Sequence, residues 1–114
     1  MYKFPVVIKS ELNFMSQIHP LKQKIVMDIV EKYCNVSGLK ITLFGSSISE
    51  RCGIRSDIDL AIKLSVVDDK KFYSVMREVS ELCNGEADVL FYNTITNARL
   101  LEEINNGIVI VNTL

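Results

Sequence analysis

The stretch LFGSSISERCGIRSDIDLAI, residues 43–62, decides the fold of this chain, because one buried strand ends in it and a second, acid-bearing strand begins. The residues LKITLF (39–44) are few, apolar and partly β-branched, which predicts a strand. Gly45 ends that strand, because glycine interrupts regular structure and permits a sharp turn. The residues SDIDLAIKL (56–64) then alternate between apolar and polar side chains, which predicts a second strand.

Two aspartates interrupt the second strand. Asp57 and Asp59 stand two residues apart, so both side chains project from one face, with Cα atoms about 6.5 Å apart. Like charges this close repel each other, and a divalent cation between them removes the repulsion. Mg²⁺ is typically held by one or two carboxylates together with substrate phosphates. An edge strand with its polar face in water explains the pair equally well, so the strand alone leaves both interpretations open.

The bend at Gly45 indicates a second kind of site. A strand that turns into a helix leaves backbone N–H groups unpaired, and these attract anions together with the helix dipole. Gly45 lets a ligand approach the backbone closely, Ser46 offers a hydroxyl to a phosphate oxygen, and Ser47 can share the capping of the helix. An ordinary turn would use the same residues. The bend lies only twelve residues before Asp57, however, and the combination predicts a nucleotide whose phosphates lie between the bend and the aspartates.

A third carboxylate stands in the next apolar segment, EADVLFYN (86–93), which predicts another strand. Asp88 is the preferred residue, because it lies deeper in the strand than Glu86, which has the same spacing and competes for the role. Three carboxylates around two Mg²⁺ ions stabilise the attacking and leaving oxygens of an in-line displacement. The third carboxylate can also accept the proton of an acceptor hydroxyl. The sequence therefore predicts Asp57, Asp59 and Asp88 as metal ligands and catalytic residues.

The remaining segments complete an α/β (α+β) pattern, a small mixed sheet with helices packed on it. Helical periodicity or capping residues predict three helices, at 21–33, from Asp68 or Asp69 to Cys83, and from Thr94 or Thr96 to Gly107. Residues 108–112 are a final strand or tail, and residues 3–8 form a possible edge strand, since Pro5 is tolerated at an edge.

The length and charge of the chain limit the classes of function. With 114 residues, one domain over residues 1–114 is expected, with an N-terminal extension over 1–19 and a core over 20–112. The net charge of −1 gives no sign of the basic face that extended nucleic acid needs. No apolar run approaches the roughly 20 residues of a membrane helix, and the N-terminus lacks a signal-peptide pattern. Three cysteines without a C-x-x-C pair indicate reduced thiols. Cytoplasmic residence is therefore expected.

The residues of the opening stretch carry a resemblance to a known family. Gly45-Ser46, ten residues, and Asp57-Ile58-Asp59 resemble the signature of the polymerase-beta-type nucleotidyltransferase superfamily. Asp88 is similar in position to the third carboxylate of that family. The short length and the ending LLEEINNGIVIV resemble the minimal nucleotidyltransferases, or MNT proteins. The resemblance spans roughly residues 20–112.

This resemblance implies a nucleotidyltransferase fold and a transfer of a nucleoside monophosphate, usually AMP from ATP, to an acceptor hydroxyl. It implies Mg²⁺ as cofactor, with two ions, and ATP as substrate. Minimal members are commonly the antitoxin of a pair with a HEPN-domain ribonuclease, and some are implied to adenylylate a tyrosine of that partner. The lack of a second domain favours a partner protein as the source of the acceptor.

The chain departs from the family pattern after the Gly-Ser pair. The family often continues with a basic residue and a glycine, in the style GSRARG, whereas Ser47 and Glu50 occupy those positions here. We expect Arg51 and Arg55 to supply the missing positive charge to the triphosphate.

Two further functional hypotheses remain beside the enzyme. The chain is alternatively a binding module with a vestigial site that neutralises its partner by steric cover. The altered stretch after Ser46 is the observation that suggests this alternative. A transferase acting on small molecules is less favoured, because a domain of this size has little room for an acceptor pocket.

Overall fold

The computed structural model describes residues 20–45 and 58–114. Its helices confirm the three predicted ones, with shifts at the ends. They are α1 (Pro20–Tyr33), α2 (Asp69–Leu82) and α3 (Ala98–Asn105), and a short 3₁₀ turn covers Tyr92–Thr94. The strands are β1 (Leu39–Phe44), β2 (Ile58–Leu64), β3 (Ala87–Phe91) and β4 (Ile108–Asn112). The predicted edge strand at 3–8 and the helix after Ser46 lie outside the described residues.

The strands form one mixed sheet with the order β3-β2-β1-β4. β1 pairs antiparallel with both β2 and β4, whereas β2 and β3 run parallel. A parallel pair needs a crossover connection, and α2 supplies it between β2 and β3. The predicted α/β architecture with a small mixed sheet is therefore confirmed.

One face of the sheet carries the main core. α1 and α2 pack on this face, and Lys22 near the start of α1 reaches Glu86, which follows the end of α2, at 3.2 Å. Burial of apolar side chains there provides most of the driving force for folding. The fully buried residues with the largest side chains are Val26, Ile29 and Val30 of α1, Leu39, Ile41 and Leu43 of β1, Ile58, Leu60, Ile62 and Leu64 of β2, and Val79 of α2; Ile104 of α3 is buried to the same degree in a separate cluster.

The opposite face is covered more thinly, by α3. Its Ile104 packs with Phe44 and Ala61 in a second, smaller apolar cluster. Asp59 and Lys63 lie on this same face of β2, on either side of Ala61, and are both partly exposed. The thin cover leaves polar side chains of the sheet accessible next to α3.

Local chemistry explains where the predicted ends shift. β3 ends at Phe91. The side-chain amide of Asn93 then forms hydrogen bonds with both the N–H and the carbonyl of Leu64, the last residue of β2. α3 begins at Ala98, later than predicted, because Asn97 caps it by accepting a hydrogen bond from the N–H of Leu100. The N-cap of α2 is Asp68, one of the two residues predicted for it.

Within the described residues, no helix is long and apolar enough to cross a membrane. Cys34 and Cys83 are free and buried, while Cys52 lies outside the described part of the chain.

Candidate functional site

The register of the parallel pair places two of the predicted carboxylates side by side. Asp59 of β2 and Asp88 of β3 are partners in the β2–β3 ladder. Neighbouring strands lie about 4.8 Å apart, and partner residues point to the same face. Asp88 is exposed and Asp59 is half-buried, and both lie on the thinly covered face. The structure therefore brings together residues that stand 29 positions apart in the sequence.

The bend at Gly45 lies against the same carboxylate. Phe44 pairs with Asp59 across β1 and β2, so Gly45 is the next residue beyond the ladder. Its φ is +66°, in the left-handed region that favours glycine, and an ideal Cβ there would lie 2.6 Å from Oδ2 of Asp59. A side chain at position 45 would overlap the Asp59 carboxylate as it stands. Glycine is thus favoured by the backbone conformation, and it lets the Asp59 carboxylate keep this position.

Glu86, the competitor of Asp88 in the sequence, lies outside this site. Its carboxylate pairs with Lys22, whose side chain is only 4% exposed, and its carbonyl accepts the N–H of Ile58. Glu86 therefore fixes the start of β3 against α1 and β2. This arrangement leaves Asp88 as the carboxylate beside Asp59.

Several predicted residues lie outside the described part of the chain, and the structure does not test their placement. They are Ser46, Ser47, Arg51, Arg55 and Asp57. Among residues 20–45 and 58–114, no three acidic, histidine or cysteine side chains come close enough to form a metal site on their own. The described residues supply two of the three predicted ligands, and Asp57 stays a prediction.

Glu103 is a residue of this region that the sequence analysis did not identify. Its Oε1 lies 3.5 Å from the position of the ideal Cβ on Gly45. The sequence offered little signal, because Glu102 and Glu103 are both polar residues between the apolar positions of α3. Only the docking of α3 on the sheet distinguishes them.

The end of α3 is fixed next to the bend. Gly107 lies so close to β1 that an added Cβ would overlap the carbonyl oxygen of Leu43 and approach Cβ of Phe44 to 2.9 Å. Tyr92 donates a hydrogen bond of 3.0 Å to Oδ1 of Asn105, which joins α3 to the segment after β3. These contacts fix the end of α3, the helix that carries Glu103, next to the bend.

The clearest pKa shifts belong to the other side of the molecule. Burial raises the pKa of the Cys83 thiol to about 11, and a hydrogen bond from Lys32 lowers the pKa of Glu78. Both groups lie on or beside α2, on the face of the sheet opposite Asp59. They contribute to the stability of the fold and not to the candidate site.

Comparisons with known proteins agree with the fold. The family model described as "Polymerase beta, Nucleotidyltransferase" matches residues 23–113. Among solved structures, the chain is similar to one described as "Crystal structure the toxin-antitoxin MntA-HepT", with a TM-score of 0.52 and 17% identity over 83% of this chain and 74% of that chain. At that identity the likeness shows the fold alone. A comparison with curated proteins gave no match. Since the family model extends from within α1 to beyond the end of β4, the protein belongs to the polymerase beta nucleotidyltransferase family.

Proposed function

We propose that the protein is a Mg²⁺-dependent nucleotidyltransferase that transfers AMP from ATP to a hydroxyl of a partner protein. The observation that carries the proposal is the pairing of Asp59 with Asp88 beside the Gly45 bend. Family membership supports the reaction type, because the family model that matches residues 23–113 describes nucleotidyltransferases.

The residues present fit a hard divalent cation. Carboxylate oxygens are the donors that Mg²⁺ prefers, and Asp59 and Asp88, with Asp57, would hold it. Because Gly45 has no side chain, Oδ2 of Asp59 lies close to the backbone of the bend, so a cation held by Asp59 would also lie near it. When bound, Mg²⁺ offsets phosphate charge and stabilises the oxygens of an in-line displacement.

The remaining chemistry falls to the chain itself. In the proposed transfer, the acceptor oxygen attacks the α-phosphorus of ATP, the bond between that phosphorus and the bridging oxygen breaks, and pyrophosphate leaves. Asp88 accepts the proton of the acceptor hydroxyl. It suits this role better than Asp59, because Asp88 is exposed and β3 stands at one end of the order β3-β2-β1-β4. Gly45 and Ser46 bind the triphosphate, and Ser47, Arg51 and Arg55 assist them.

The partner belongs to the same proposal. The resemblance to minimal nucleotidyltransferases implies an antitoxin that acts on a HEPN-type protein. The similarity in fold to a structure described as a toxin-antitoxin pair, MntA-HepT, supports this assignment. We therefore propose that the acceptor hydroxyl lies on a HEPN-type toxin.

The test measures transfer of label from α-³²P-ATP to the protein encoded beside this one. Asp88→Asn should lower the initial rate by at least about a hundredfold, the size expected for loss of a general base. Asp69→Asn is the matched control, because it removes the same charge from an exposed site in the first turn of α2. Equal rates in both variants would rule out the assigned role of Asp88.

The same variants separate the enzyme from a binding module. An enzyme should lose neutralisation of its partner together with label transfer when Asp88 is replaced. If Asp88→Asn still neutralised the partner and the original protein transferred no label, steric cover would be the function.

A further inference from the structure

The negative charge of Glu103 is unfavourable for the triphosphate proposed at the bend. Its Oε1 lies 3.5 Å, and Oδ2 of Asp59 lies 2.6 Å, from the same point, the ideal Cβ of Gly45. The two oxygens are therefore separated by no more than the sum of those distances, about 6 Å, a range in which charges interact appreciably. Phosphates at the bend would meet two carboxylates.

Nothing in the described structure neutralises Glu103. Across residues 20–45 and 58–114, its side chain takes part in no ion pair or hydrogen bond, and it is exposed. The backbone that carries Glu103 is nevertheless held beside the bend, because Ile104 is buried and Gly107 fits tightly against β1. A carboxylate fixed beside a phosphate site either repels the phosphates or shares a cation with them.

We infer that Glu103 is an additional carboxylate of the cation site and makes bound cation a condition for nucleotide binding. The inference rests on the proposed function and adds a residue and an order of binding to it. Glu103 acts through the water shell of the cation, because Mg²⁺ dehydrates reluctantly and keeps several waters. Among residues 20–45 and 58–114, no three acidic, histidine or cysteine side chains could hold a metal ion by themselves.

Two effects of opposite sign follow for Glu103→Gln. Cation affinity should fall about tenfold, the lower end of what loss of an outer-shell partner causes. ATP affinity in the presence of EDTA should rise severalfold, because the repulsive charge is gone. A residue with a purely structural role would not move the two affinities in opposite directions.

The experiment titrates the full chain with Mn²⁺ alone, read out by the electron paramagnetic resonance of free Mn²⁺, and with ATP in EDTA by calorimetry. Glu102→Gln is the matched control, since it removes an equal charge from an exposed position of the same helix. Asp59→Asn is included as the variant that should abolish tight Mn²⁺ binding.

The outcomes distinguish the inference from the proposed function. Weaker Mn²⁺ binding with tighter metal-free ATP binding in Glu103→Gln, and neither change in Glu102→Gln, supports the inference. If Asp59→Asn loses Mn²⁺ but Glu103→Gln behaves like the original protein or like Glu102→Gln, the inference fails and the proposed function stands. If the original protein binds no Mn²⁺, both fail.

Discussion

Replacement of Gly45 by alanine tests whether the bend and the Asp59 carboxylate form one site. Gly85 provides a matched control, because both glycines have positive φ, +66° and +77°, but nothing lies within 4 Å of an ideal Cβ on Gly85. Gly85→Ala therefore reports the conformational penalty alone. Gly45→Ala adds the contact with Oδ2 of Asp59 at 2.6 Å.

The magnitudes follow from these two terms. A non-glycine residue in the left-handed region costs about 1–2 kcal/mol, and both variants should lose that much free energy of unfolding. The contact at position 45 is with the end of a rotatable side chain, so a turn of the Asp59 carboxylate away from its preferred rotamer relieves it at about 0.5–1.5 kcal/mol. Gly45→Ala should therefore lose about 0.5–1.5 kcal/mol more free energy of unfolding than Gly85→Ala. Function should differ greatly, because a displacement of about 1 Å at a reacting group can reduce the rate about a hundredfold.

Two assays separate the terms. Urea denaturation measures the free energy of unfolding, and Mn²⁺ binding with label transfer from α-³²P-ATP measures the site. We expect both variants to lose stability, Gly45→Ala by the larger amount, with Mn²⁺ affinity and transfer impaired only in Gly45→Ala. Normal Mn²⁺ binding and normal transfer in a folded Gly45→Ala protein would refute the idea that the bend must stay open in front of Asp59.

Three other features of the fold give further predictions. Lys22 is buried while its partner Glu86 is 60% exposed, so Glu86→Ala, which strands a buried ammonium, should cost about 1–2 kcal/mol more in urea denaturation than Lys22→Met. Burial raises the pKa of the Cys83 thiol from 9.0 to about 11, so its contribution to stability is complete below pH 9 and is lost as the pH rises toward 11. The free energy of unfolding of Cys83→Ala should therefore fall less between pH 9 and pH 11 than that of the original protein. Gly107→Ala would place a methyl group on the backbone oxygen of Leu43, which cannot rotate away, and should lower the free energy of unfolding by about 1–3 kcal/mol; a loss below 0.5 kcal/mol would contradict the close fit of α3 on β1.

Periodicity predicted the elements because their apolar residues face a single core. β1 matches its predicted bounds of 39–44, and α1 begins one residue before the predicted 21. The end of β3 was missed, since the side chain of Asn93 replaces a ladder partner with its own amide, which no alternation pattern reveals. Local hydrogen bonding of this kind competes with the strand and decides where it stops.

The site was only partly accessible to the same reasoning. Asp59 and Asp88 were selected as candidates because an acid in an apolar strand is unusual, and their adjacency depends on the parallel register of β2 and β3. Glu103 could not be identified, because an acid on the polar face of a helix is ordinary. Its relation to Gly45 depends on the docking of α3, which is tertiary structure.

The mixed topology of the sheet explains why these residues meet at all. Because β1 and β2 are antiparallel, the end of β1 lies beside the start of β2, and the parallel β3 starts at that same end of the sheet. In an all-parallel sheet, the bend after β1 would lie at the opposite end of the sheet from the beginning of β2. β4 is antiparallel to β1 as well, and its first residue, Ile108, pairs with Leu43. The helix that precedes β4 must therefore end at this end of the sheet too, and this brings Glu103 to the bend. One antiparallel strand at the centre of the sheet thus gathers a glycine bend, two strand aspartates and a helix carboxylate from four separate segments of the chain.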